Sequence, residues 1–343
     1  MSASSQPPLV SICLLTYNQE RVIGQSLGSI LAQTYPRLEI LVLDDASSDG
    51  TGDVVRAMVD ERVRYIRNST NLGEYFNLNH GIEQANGDYI AIYHGDDIYL
   101  PTIVAEEAAY LQSHPSSAAV FCLDDYMDEQ GKIFGQTNWP PDLPYREYLE
   151  YDQVFRLFLR HNNCLLVTPT TMLRHAVLND VGLFDAAKYG SRSDGDMWIR
   201  ILRRYPIGVL NKRLLRYRVG KSRNSARYRR LRTDREMVYD IMDRYIEMDG
   251  WREKASAEEL TEYAFHVCDD ETFRAANFVI LGKPRAALEL LNRPFPWRTL
   301  FNSFTRRKLR VVLLRALMRM GLAFRQSRAL KQILIWTEYA GRL

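Results

Sequence analysis

The 343-residue chain contains only four cysteines, Cys13, Cys122, Cys164 and Cys268, scattered and without a C-x-x-C pair. That spacing excludes a zinc ribbon and offers no disulfide framework, so the thiols read as reduced core residues of a cytosolic protein. Long hydrophobic runs are missing too. The longest candidate, 311–324, is interrupted by Arg315 and Arg319, which is not the pattern of a bilayer span. The opening residues Met1 to Pro8 have neither the basic stretch nor the apolar segment of a secretory leader. There is no G-x-x-x-x-G-K-[ST] loop and no G-x-G-x-x-G loop. Phosphates, if bound, must be held by other means.

Acidic residues are nearly absent from two stretches. Residues 200–235 hold 14 Lys and Arg against one acid, Asp234, and residues 298–343 hold 11 against Glu338 alone. The net charge of +3 therefore conceals an acidic body with two basic segments. Such segments suit an anionic partner, a phosphate or an anionic membrane surface. No recognisable nucleic-acid module accompanies them, so nucleic acid is not an expected partner.

What is present is alternation. Residues 9–15 form a short apolar run, followed by Val22, Ile23, Leu27, Ile30 and Leu31 at helical spacing. Strand-like runs recur at 39–43, 62–66, 88–93 and 118–122, separated by helix-like segments over 53–59, 74–85 and 101–111. The alternation predicts an α/β fold with a parallel, doubly wound sheet. The proline-rich loop 138–144 is irregular, 151–160 reads as a helix, 167–172 as a short cleft-lining segment, 196–204 as an amphipathic helix and 207–210 as a strand. Beyond about residue 234 the pattern is helical. Leu309, Leu313, Ala316, Leu317, Met320 and Phe324 form a stripe there that fits a core-facing helix or, less commonly, a membrane-surface helix. The expected division is a catalytic domain over 1–228 and a helical region over 229–343 with a basic amphipathic tail.

Two acidic pairs, Asp44-Asp45 and Asp96-Asp97, each directly follow a strand-like run. Ligands of open α/β sheets gather beyond the carboxyl ends of the strands. Carboxylates there hold hard divalent cations or accept hydrogen bonds from a ligand.

Motifs in register carry a resemblance. They are Val10 to Asn18, Ser29 to Tyr35, Leu43 to Thr51, Gly87 to Ile90 leading to Gly95-Asp96-Asp97, Gly182 to Asp185, and Ser193 to Arg200. From Pro8 to about Ser225 the chain resembles the family 2 glycosyltransferases. The resemblance implies the GT-A fold, a Rossmann-like, mostly parallel central sheet flanked by helices, here with a C-terminal all-helical extension. It implies an inverting transfer of a sugar from a nucleotide-diphosphate sugar (UDP, dTDP or GDP type) to a hydroxyl of a glycan or lipid-linked acceptor in cell-surface polysaccharide synthesis. The protein would be cytoplasmic, peripheral at the inner face of the membrane. Asp97, with Asp96, would hold Mn²⁺ or Mg²⁺. Asp45 would accept from the base, Tyr17 would stack on it, Thr16 and Asn18 would shape the pocket, and Asp96 would lie near the ribose. Asp194 would be the general base, with Asp196 and Trp198 on the acceptor side. Asp194 also suits a helix N-terminus, which would keep its carboxylate ionised.

The chain departs from the family pattern at three places. His94 stands where an acid is common, Leu78 where an Arg is common, and Gly220-Lys221 where a His is common. These departures leave one rival, a catalytically degenerate GT-A scaffold that binds a nucleotide or a protein partner.

Overall fold

The apolar runs become strands because they are covered on both faces. The computed structural model describes residues 6–146, 148–163, 165–220, 231–323, 330–332 and 334. These divide into two compact units, Met1–Phe155 with Asn163–Gly220, and Arg156–Asn162 with Lys221–Leu343. The 228/229 boundary expected from the sequence, and Lys221, lie outside the described residues.

The first unit is built on one nine-stranded sheet: β1 (Val10–Thr16), β2 (Leu38–Asp44), β3 (Val63–Arg67), β4 (Tyr89–His94), β5 (Ile98–Tyr99), β6 (Ala119–Met127), β7 (Ile133–Gln136), β8 (Thr171–Arg174) and β9 (Ile207–Arg218). Its order is β3-β2-β1-β4-β8-β6-β9-β5, with β7 paired to β6. β3, β2, β1 and β4 are parallel. β1 is buried throughout, as a central parallel strand should be. Helices α1 (Ile23–Leu31), α2 (Thr51–Ala57), α3 (Glu74–Ile82) and α4 (Ile103–Ser113) alternate with these strands.

A wholly parallel sheet is not what forms. β8 runs antiparallel to both β4 and β6, and β5 runs antiparallel to β9. Two reversals cancel, so β6 and β9 again run in the direction of β4. The carboxyl ends of β1, β2, β4, β6 and β9 therefore share one sheet edge. β8 has only four residues, too few to show a period. β9 reaches Arg218 although only 207–210 read as a strand, because Lys212, Arg213 and Arg216 interrupt its apolar pattern. Its register against β6 shifts on either side of Leu123. The chain continues through helices α5 (Tyr151–His161), α6 (Val177–Val181), α7 (Ala186–Tyr189) and α8 (Ser193–Leu202).

The second unit is helical. Its longest element, Ala257–Ile280, opens with a capping box in which Ser256 and Glu259 satisfy each other's backbone N–H. Gly282, at φ 74°, turns the chain into Pro284–Leu291. The helix Arg306–Ala323 departs in part from the core-facing expectation for the C-terminal stripe; Leu317 packs against the unit's core, and Phe324 lies outside the described residues. Leu309, Leu313 and Met320 are exposed, whereas Lys308, Val311, Arg315 and Met318 are buried. The physical reason lies in two inward cations. Arg315 donates to the carbonyls of Leu290, Leu291 and Arg293 and so caps the C-terminal end of Pro284–Leu291. Lys308 donates to Glu262 Oε1 at 2.8 Å.

One core residue of the first unit is out of character. Glu107 on α4 is fully buried, and among the described residues neither carboxylate oxygen has a hydrogen-bond partner. Burial, with a smaller contribution from Glu106, pushes its carboxyl well above the usual range. The unfolded chain loses this proton near the ordinary carboxylate value, and the fold retains it. Stability from this site is therefore intact in acid and falls as pH rises above the unfolded value. Glu107→Gln removes the ionisation. In chemical denaturation, its stability relative to the parent should improve by roughly 1–3 kcal/mol between about pH 4 and pH 8. A constant difference across that range would contradict the assignment.

Candidate active site

The carboxyl end of β4 delivers the first group of polar side chains. His94 ends the strand, and Gly95, Asp96 and Asp97 form the following turn. Gly95 donates to the carbonyl of Leu15 at 2.8 Å, and a Cβ at this position would lie 2.5 Å from Gln19 Oε1. A larger residue here would have to displace Gln19 and Ile23 and would crowd the Leu15 carbonyl at 3.1 Å, so glycine suits this close turn. His94, Asp96 and Asp97 each bring one ligand atom to within 4.8 Å of the others. Asp97 is buried, and its Oδ1 accepts the Arg218 backbone N–H at 2.8 Å. The Arg218 guanidinium donates to the carbonyl of Asp96 at 2.7 Å and to Gln25 Oε1 at 3.0 Å. The end of β9 thus fastens the acidic turn. An imidazole with two carboxylates is a donor set for a divalent cation, and nitrogen ligation suits Mn²⁺ better than Mg²⁺. His94, a lost acid by its position in the sequence, stands in the cluster as a possible ligand.

A second group follows β1 and β2. Thr16 is buried at the end of β1, and its hydroxyl donates to Gln19 Oε1 at 2.9 Å. Tyr17 is 37% exposed, open enough to stack on a flat ligand. Asn18 has φ 52°, and its carboxamide oxygen accepts from the Ser48 N–H at 2.8 Å. Asp44 is internal, accepting from the Tyr65 hydroxyl and from the Ser47 N–H. Asp45 is 4% exposed and already engaged. Its Oδ1 accepts from Asn68 Nδ2 at 3.0 Å and from the Leu72 N–H at 2.8 Å, and its Oδ2 from the Gly73 N–H at 2.8 Å. Gly73, at φ 91°, is the residue immediately before α3.

The third group surrounds Asp194 in the first turn of α8. Asp194 Oδ2 accepts from the Thr168 hydroxyl at 3.1 Å, and Oδ1 from the Gly195 N–H at 2.9 Å. Burial raises its pKa, against the opposing pull of Arg192 and these hydrogen bonds. The pull of the helix N-terminus expected from the sequence is opposed here by desolvation. Asp196 and Trp198, expected on the acceptor side, are both buried. Asp196 is 2% exposed and receives Arg200 Nε at 2.7 Å. Arg200 in turn donates to the carbonyls of Val181 and Leu183. Trp198 is 1% exposed, edge-on to Phe121 and Phe184 with centroids at 5.1 and 5.8 Å. Both hold α8 in place.

One helical turn joins these groups. Asp45 clamps the chain entering α3. Glu74, the first residue of α3, lies 3.4 Å from His94 Nε2. A carboxylate so placed orients a metal-binding imidazole. Tyr75, the next residue, lies beside Thr168 and Asp194 and stacks on Phe184 with centroids 5.1 Å apart. Thr168 falls in the segment 167–172 expected to line a cleft, whereas Arg218, Glu74 and Tyr75 escaped the sequence reading. A lone Arg or Glu has no periodic signal, although the glycine preceding Glu74 marks the helix start.

Comparison with known proteins agrees with this architecture. The family model described as glycosyl transferase family 2 matches residues 11–182. An uncharacterised glycosyltransferase of Methanocaldococcus jannaschii is 29% identical over 229 residues, covering 65% of this chain and 75% of that protein. The Escherichia coli UDP-Glc:α-D-GlcNAc-diphosphoundecaprenol β-1,3-glucosyltransferase WfaP is 26% identical over 195 residues, 57% of this chain and 70% of that one. Among solved structures, S. aureus TarS 1–349 in complex with UDP-GlcNAc superposes with a TM-score of 0.53 at 18% identity, covering 81% of this chain and 88% of that chain. That likeness establishes the GT-A type of fold. With the matched model spanning half its length, the chain belongs to glycosyl transferase family 2 and is a glycosyltransferase.

Proposed function

We propose that the protein transfers a sugar, with inversion, from a nucleotide-diphosphate sugar to a hydroxyl of a lipid-linked glycan. The observation that carries this reading is the single turn of α3, which touches both the His94–Asp96–Asp97 cluster and the surroundings of Asp194. Tyr17 stacks on the donor base, Thr16 and Asn18 shape its pocket, and Asp45 offers the base its remaining acceptor site while it clamps α3. Asp97, Asp96 and His94 would hold Mn²⁺, or Mg²⁺ less well, with Asp96 also near the ribose. A bound divalent ion neutralises the charge that develops on the departing diphosphate.

Asp194 takes the proton of the acceptor hydroxyl as that oxygen bonds to the anomeric carbon. The bond from that carbon to the diphosphate breaks, and the electron pair leaves with the nucleoside diphosphate. Attack opposite the leaving group inverts the centre. A base with a pKa raised toward neutrality is a better match to this task than an ordinary aspartate. The lipid-linked acceptor is supported by the name of WfaP, which acts on a sugar diphosphoundecaprenol. A cytoplasmic site at the inner membrane face follows from such an acceptor. Among the described residues no helix is long and apolar enough to cross a membrane, so attachment would be peripheral.

Asp194→Asn should lower kcat by about 10²–10⁴-fold and leave donor affinity intact. In the parent enzyme the acidic limb of the kcat/KM profile should lie above the ordinary aspartate range and should vanish in the variant. Equal turnover by the two proteins would end the assignment of the base. Asp97→Ala should weaken divalent-dependent donor binding at least about tenfold, read by thermal shift with UDP-, dTDP- and GDP-sugars with and without Mn²⁺. Donor binding that ignores both the ion and the substitution would remove the metal reading.

A further inference from the structure

The helix Arg306–Ala323 presents its apolar stripe outward. Leu309, Leu313, Ala316 and Met320 recur at helical spacing on one line and are all exposed, Leu313 at 59% and Met320 at 55%. Just before the helix, Trp297, Phe301 and Phe304 are 58%, 87% and 68% exposed. Large apolar side chains gathered in this way on a surface mark a docking face. The aromatic turn is fastened to the helix. Lys308, 3% exposed, donates to the Thr299 carbonyl at 2.9 Å, to Ser303 Oγ at 2.7 Å and to Glu262 Oε1 at 2.8 Å. Thr299 itself donates to Glu262 at 2.9 Å. The rings are therefore held out by a buried polar knot.

Charge decides the occupant. Arg306 and Arg310 flank the stripe and Arg298 follows Trp297. All three are exposed and, among the described residues, none pairs with a carboxylate. From residue 298 to the end of the chain the only acid is Glu338. A second copy would bring one arginine rim against another, at a like-charge cost. An anionic lipid surface instead receives the arginines at its headgroups and the rings and leucines at the acyl boundary.

We propose that Trp297, Phe301, Phe304 and the Leu309–Met320 stripe form a membrane-docking face that lies in the plane of an anionic bilayer. This inference rests on the peripheral, lipid-linked reading above and names the surface that performs the attachment.

Co-sedimentation of the full chain with phosphatidylcholine vesicles, with and without phosphatidylglycerol, tests it. The parent protein should bind the anionic vesicles at least about tenfold better than the neutral ones, and added salt should weaken the binding. The double variant Phe301→Ser/Phe304→Ser should lose at least about tenfold in partition, and Arg306→Glu/Arg310→Glu should lose the preference for anionic lipid. The substituted side chains are exposed, so unchanged far-UV circular dichroism should accompany both losses. Absent binding by the parent, or binding indifferent to the phenylalanine pair, overturns the proposal. So does a concentration-dependent dimer that the phenylalanine substitutions dissolve. Donor-induced thermal shifts, measured in the same variants without vesicles, should stay at parental values. Their loss in the parent would strike the transferase reading alone.

Discussion

The carboxylate of Asp45 gripping the backbone ahead of α3 is the contact on which the site depends. It takes two successive N–H groups and the Asn68 amide, and so fixes where the helix begins. A carboxylate at this place also meets the positive end of the helix dipole. From that origin Glu74 is set against His94, and Tyr75 against Thr168 and Asp194. Asp45, the His94–Asp96–Asp97 cluster and the surroundings of Asp194 are thereby joined through neighbouring residues of one turn. Gly73 makes this possible, because its φ of 91° is closed to most side chains.

The site divides its polar groups by burial. Asp97 and Arg218 are buried; the Arg218 N–H donates to the Asp97 carboxylate and its guanidinium to the Asp96 carbonyl, which fastens the acidic turn. Asp194 is half-buried, and desolvation raises its pKa against the pull of Arg192 and its hydrogen bonds. Asp196, two residues on, has a cationic partner in Arg200 and does structural work. Two aspartates in one helical turn thus have different chemistry because their surroundings differ.

The helical unit shows the same trade between charge and burial. Arg315 and Lys308 occupy inward positions that periodicity assigns to apolar residues, since helix-end carbonyls and Glu262 await them there. Leu309, Leu313 and Met320 lie on the exposed side of the same helix, while Leu314 and Leu317 pack against the core. An amphipathic pattern identifies a helix, but which face turns inward depends on what the neighbouring helix offers.

Strands β1 to β4, the helices between them and the acidic turns at their carboxyl ends were legible in the chain. Local periods of two and 3.6 residues and glycine-bearing turns are properties of contiguous residues. The placement of Asp97 and Asp194 in site-bearing segments came from ordered motifs, which are also local. The antiparallel insertion of β8, the full length of β9, the clamp by Asp45, the joining of His94 to the acidic pair and the burial of Trp198 and Asp196 were decided in three dimensions. Most of these depend on partners apart in the chain, 27 and 28 residues for Asp45 with Leu72 and Gly73 and 121 for Arg218 with Asp97. Hydrogen bonds and desolvation act through space, and a linear pattern carries no record of which distant groups will meet.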